Sequence, residues 1–300
     1  MAIWLTLPGN IQIASTIQPD YRLLPVWDGI AQYFPPESEA SQKQQRQQQR
    51  EQLLAQAVTG DPIARLRYAE DINYYMLPDR FTDPLAQERI AYLRSGTLDK
   101  DATTMAYEQL GRLHGSKVAR RFALTLSLDT HRSGEQRRLG LKILSGCLSP
   151  GIYKGDKRIP PTQGEVQVFR RFLRSENQAD RLAAVNAIQI ANAIELNGGL
   201  MSQYAREQSL QVRSAILGTF GWLEEQTAFA LVLRTSYSTS ASLRHSTAES
   251  LSLYAAEPNS LQGSQVVALR SRLEQLAHSS DRSEQGKTGL EMLQQAGVKE

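Results

Sequence analysis

The sequence predicts an all-α protein: an α-α superhelix of stacked antiparallel helix pairs, entered by an irregular N-terminal arm. Three observations carry this expectation. Apolar residues recur at helical rather than alternating spacing from Gln52 onward. A basic residue returns at Arg137, Arg181, Arg213, Arg244 and Lys287, at intervals of 44, 32, 31 and 43 residues, with apolar partners at fixed offsets. Strand signals, which are alternating runs bounded by Gly or Pro turns, are scarce. The expected organisation is an apolar, Pro-rich arm with a Gln-rich linker over residues 1–51, then a helical repeat domain over residues 52–300, most regular from residue 163.

The arm opens on Met1 to Gly9, which has no early Lys or Arg and breaks at Pro8, so it lacks the n-region and the length of a signal peptide. It reads either as a segment packed on the body or as the stub of a removed upstream anchor or leader. Pro19, Pro25, Gly29, Pro35 and Pro36 then punctuate a stretch carrying Tyr21, Trp27 and Phe34. Trp4, Tyr21 and Trp27 are therefore candidate docking residues of the arm. The glutamines between Gln42 and Gln56 make no apolar stripe before Leu53, and such a tract cannot bury enough surface to fix itself.

Helices follow in order. Asp61-Pro62 is a start signal ahead of Ile63, Leu66 and Ala69. Further helices are expected over residues 86–93, 102–114 and 116–128, with weak points at Gly111 and Gly115. Residues 154–163, rich in Gly, Pro and charge, are expected to form a loop. Beyond it, stepping three and seven residues from each basic residue gives Gly140 and Leu144, Ala184 and Ile188, Ile216 and Phe220, Thr247 and Leu251, and, in a degraded copy, Leu290. Apolar helices near residues 166–173, 200–207, 228–233 and 266–277 precede the last four copies. A helix pair of this kind cannot bury its apolar face alone, so neighbours must stack.

Asp180-Arg181-Leu182-Ala183-Ala184-Val185, Leu210-Gln211-Val212-Arg213-Ser214-Ala215-Ile216 and Ser242-Leu243-Arg244 resemble the second-helix start of HEAT or armadillo-type repeats. The resemblance covers roughly the second half of the chain; the first half resembles tetratricopeptide-like hairpins. It implies an elongated α-solenoid. In that family an acidic residue just before the arginine forms a ladder; Asp180 matches, whereas Val212 and Leu243 stand at the equivalent places. Arg181, Arg213 and Arg244 have two readings: seams of the stack, or a ligand-facing row, which requires all three to be exposed on one surface.

Charge is unevenly spread. Between Arg112 and Arg174 fourteen basic residues face four acids, a net of +10, which leaves −7 for the rest of a chain whose total is +3. Arg120, Arg121, Arg137, Arg138, Lys142, Lys154, Lys157, Arg158, Arg170, Arg171 and Arg174 are the candidate contacts for an anionic partner if they converge. The alternative for each is a solvated helix face.

No catalytic motif emerges. Cys147, the single cysteine, follows an apolar helix and reads as a small buried hydrophobe; alone it excludes an internal disulfide and leaves the compartment open, with a weak lean to the cytoplasm. His131 with Glu135, His245 with Glu249 and Glu274 with His278 each supply only two ligands, so no metal or cofactor is expected. No uncharged apolar stretch approaches the ~20 residues of a membrane helix. The expected function is a noncatalytic scaffold or adaptor holding a partner protein. The competing expectation is nucleic-acid binding through residues 112–174. A third follows from resemblance, since some HEAT-like proteins are DNA-repair glycosylases that use a basic concave surface with tryptophans; Trp222 and the basic middle are similar, but no motif carries catalytic residues over.

Overall fold

The computed structural model describes residues 49, 52, 55–57, 60–70, 77, 79–149 and 158–298. Trp4, Tyr21 and Trp27, with nearly all of the expected arm, lie outside the described residues, as do Lys154 and Lys157. Among the described residues the secondary structure is helical throughout, with no strand. They divide into two compact units, with the break between Ala123 and Leu124.

In the first unit residues 49, 52 and 55–57 are helical, and α1 (Pro62–Tyr68) follows, where Asp61 accepts a hydrogen bond from the Ile63 amide at 2.9 Å and Pro62 occupies the first turn. Next come α2 (Asp79–Ser95) and α3 (Lys100–Arg112), the latter capped by Asp99. The helix expected over residues 86–93 is longer at both ends. It runs through Pro84, which withholds one backbone donor without stopping the helix. α4 (Lys117–Leu128) starts where Asp83 of α2 accepts from Ser116 Oγ at 2.7 Å and the Val118 amide at 3.1 Å. Leu66, Ala102 and Ala106 form a buried cluster, with Tyr92, Leu93 and Met105 packed against it.

Charge is also buried here. Arg65, Glu88 and Arg89 are 2%, 5% and 1% exposed. Glu88 accepts from Arg65 Nη1 at 2.7 Å and from Tyr92 Oη at 2.6 Å, and it pairs with Arg89 Nη1. Arg65 Nε donates to the Ala57 carbonyl, while Gln109 links Arg89 Nε to the Leu66 carbonyl. Burial, then the Glu88 carboxylate, raises the Tyr92 phenol pKa, which keeps Tyr92 a donor.

The second unit is two rows of helices. One row is α5 (Gly134–Leu148), α7 (Gln178–Ile190), α9 (Leu210–Trp222), α11 (Ala241–Ala256) and α13 (Ser283–Gln295), each packed on the next. The other is α6 (Gln163–Leu173), α8 (Asn197–Arg206), α10 (Phe229–Thr235) and α12 (Gly263–Ala277), each packed on the first-row helix that follows it. The offset reading explains the core: Gly140, Leu144, Ala184, Ile188, Ile216, Phe220, Thr247 and Leu251 are all buried. Ser133, Asn177, Ser209 and Ser240 cap α5, α7, α9 and α11, each four residues before the recurring arginine. Cys147 is buried at the end of α5.

Neighbouring repeats also share exits. Asn192 and Glu224, each eleven residues past the arginine, take left-handed φ values of 48° and 51° and close their helices. A single 3₁₀ turn follows each, Ile194–Leu196 and Gln226–Ala228. Glu224 and Glu225 thus form a helix exit and the cap of the next turn. α9 and α11 approach so closely that a Cβ on Gly221 would lie 2.5 Å from Ser250 Cα. We expect Gly221→Ala to cost about 1–3 kcal/mol, because backbone must move to admit the methyl group. Denaturant midpoints check this; an unchanged midpoint would contradict the packing.

Candidate binding surface

Two of the recurring arginines are built into the turns between the rows. Arg181 Nη1 donates to the Ser175 and Glu176 carbonyls at 3.0 and 2.8 Å, while its Nε and Nη2 clamp Glu207 at 2.7 and 2.8 Å. Arg244 repeats the pattern, with Nη1 on the Ser238 and Thr239 carbonyls and Nη2 on Asp281 at 2.9 Å. Arg213 instead stacks over the Tyr204 ring at 4.7 Å and donates to its hydroxyl at 3.0 Å. All three side chains are half-buried. Of the two readings the structure supports the seam: Arg181 and Arg244 fasten α7 and α11 to the turn before each, and Arg213 fastens α9 to Tyr204 of α8.

Glu207 is saturated. Besides Arg181 it accepts from Gln203 Nε2 at 2.8 Å and from the Ser209 amide at 2.9 Å. The hydrogen bonds from Arg181 outweigh the opposing effect of burial, and the Glu207 pKa falls to about 2. The bond from Arg244 likewise lowers the Asp281 pKa, here at the surface.

The expected anion contacts have mixed fates. Arg120, half-buried, and Arg121, exposed, lie on α4 in the first unit. In the second unit, Arg138 pairs with Asp180 at 2.8 Å and Arg158 pairs with Glu195, so both are largely neutralised within the fold. Arg137 and Arg170 are half-buried, whereas Lys142, Arg171 and Arg174 are exposed. The exposed cations left among the second unit's candidates are Lys142, Arg171 and Arg174.

Arg174 gains company that sequence reasoning missed. It lies on a cleft of about 490 Å³ with Ser175, Glu176, Gln203, Arg206 and Glu207, where the turn after α6 meets the end of α8. Arg174 and Arg206 are exposed, and Arg181 with Glu207 lines the cleft between them. The signal was present in the sequence: Arg174 stands seven residues before Arg181 and Arg206 seven before Arg213. Arg234, exposed in the last turn of α10, follows ten before Arg244, because its turn is longer.

A second exposed feature is apolar. Ile190 and Trp222 are 47% and 55% exposed, each nine residues past the arginine on adjacent helices α7 and α9, and half-buried Leu253 holds that place on α11. Among the described residues no three His, Cys, Asp or Glu side chains gather as a metal site would require. No described helix is long and apolar enough to cross a membrane. No protein-family model matches this chain, and no curated protein matches it.

Proposed function

We propose that the chain is a noncatalytic interaction scaffold: the second unit is a HEAT-like α-solenoid segment that holds a partner protein along surface its own packing leaves open. The observation that carries this reading is the pair Ile190 and Trp222. They occupy one register position on neighbouring helices, and both stay exposed while the residues at the core offsets are buried. A tryptophan left more than half in water at a repeated position fits an anchor for an interface, since large aromatic side chains dominate binding energy at protein contacts.

The test is purification of the native chain at low salt, with native mass measured for wild type and for Ile190→Asp/Trp222→Asp. We expect a stoichiometric partner with wild type and its loss from the variant, whose helical circular dichroism and unfolding midpoint stay unchanged. A wild-type chain that runs without a partner, or a partner retained by the variant, would overturn the reading.

A further inference from the structure

We infer that the cleft edge formed by Arg174 and Arg206 docks an acidic, extended segment of a partner protein. This rests on the scaffold reading and names the chemistry of what is held.

The charge balance of the cleft points to an anionic group. Arg181 and Glu207 are both spent within the fold, Arg181 on Glu207 and two carbonyls, Glu207 on Arg181, Gln203 and the Ser209 amide. The cations left over are Arg174 and Arg206, against the exposed Glu176, so three arginines face two carboxylates in the lining. Arg174 forms no ion pair or side-chain hydrogen bond among the described residues, and Arg206 has only Gln203, at 2.8 Å. Each arginine stands at the end of a second-row helix, where the helix dipole favours a cation. That accounts for an arginine at each helix end; beside the cleft it leaves Arg174 and the Nη groups of Arg206 open to an anion.

Spacing and lining select a polypeptide. α6 and α8 pack on one another, and packed helices lie about 8–10 Å apart. Three residues of polyproline II chain rise about 9 Å and return to the same face, so carboxylates at every third residue match successive arginines. Gln208, exposed in the same lining, adds an amide donor and acceptor suited to a peptide main chain. Duplex DNA carries a phosphate about every 3.4 Å of axis on each strand, far denser than one carboxylate per three residues of peptide, and its further phosphates would meet the exposed Glu176.

The probe is a fluorescein-labelled peptide of repeated Glu-Pro-Ser, titrated by anisotropy at low and physiological salt. A Gln-Pro-Ser peptide and a single-stranded oligonucleotide of matched length serve as comparisons. We expect the Glu peptide alone to bind, more weakly at higher salt. Arg174→Glu/Arg206→Glu should lose about tenfold or more in affinity, and Arg174→Lys/Arg206→Lys should recover most of it. Equal binding of the Gln peptide, tighter binding of the oligonucleotide, no binding at low salt, or an unaffected charge-reversed variant would each overturn the inference. Ile190→Asp/Trp222→Asp separates the two proposals: a partner lost from that variant while wild type ignores the Glu peptide sinks the acidic-segment inference and leaves the scaffold standing.

Discussion

Glu88→Ala is expected to destabilise the first unit by about 3–5 kcal/mol, the usual cost of removing one member of a buried ion cluster. The carboxylate serves Arg65, Arg89 and Tyr92 at once, and the two guanidiniums are almost wholly out of water. Removing it leaves buried positive charge without its shared anion, and water is too remote to compensate. In a unit of this size the loss lowers its unfolding temperature by about 15 °C or more. Glu88→Gln, which keeps an acceptor and the shape, is expected to fall between wild type and Glu88→Ala. Calorimetry of all three checks the order; a Glu88→Ala loss under about 1 kcal/mol would contradict the buried arrangement.

Arg181→Met is expected to cost about 3 kcal/mol at neutral pH, with a pH dependence that identifies the cause. Its methylene-rich side chain preserves the packing of the arginine stem, but Glu207 loses its charge partner while retaining Gln203 and the Ser209 amide. In wild type the folded pKa of Glu207, about 2, lies below the ordinary carboxyl value of 4.5. The stabilisation is therefore complete above that ordinary value and drains away as pH falls from 4.5 towards 2. The gap between wild type and Arg181→Met should be widest near neutrality and close over the same interval. Urea unfolding at stepped pH measures it, and a gap that is constant with pH would assign the arginine a packing role alone.

The second unit was legible in the sequence because a repeat states its register many times. One arginine near each helix start, with the positions three and seven beyond it, located α5, α7, α9 and α11 and their buried faces. What the pattern hid depends on long-range placement. Glu207 reads as one more helix-end acid until Arg181, 26 residues earlier, is seen to clamp it. Arg65, Glu88 and Arg89 look like solvated helix charges, because nothing local says that α2 lies among neighbours that close over them.

The candidate surface was only half legible for the same reason. Counting charge found a basic middle, yet Asp180 and Glu195 consume Arg138 and Arg158 from distant positions. Meanwhile Arg206 falls outside the basic stretch and joins Arg174 only through the repeat offset. The left-handed exit at Glu224 was invisible as well, since glycine is the usual residue there.

Both proposals require first-row helices to sit side by side in the register described, and a disulfide test reads that directly. Ser214 Oγ of α9 and Ser242 Oγ of α11 lie 2.8 Å apart. Ser214→Cys/Ser242→Cys should therefore close under mild oxidation, with two free thiols lost by mass, while buried Cys147 stays reduced. Ser214→Cys/Glu249→Cys moves the second thiol about 10 Å along α11 and should stay open. Preferential closure of that second pair, or equal closure of both, would contradict the register on which the stacked rows and their exposed edge depend.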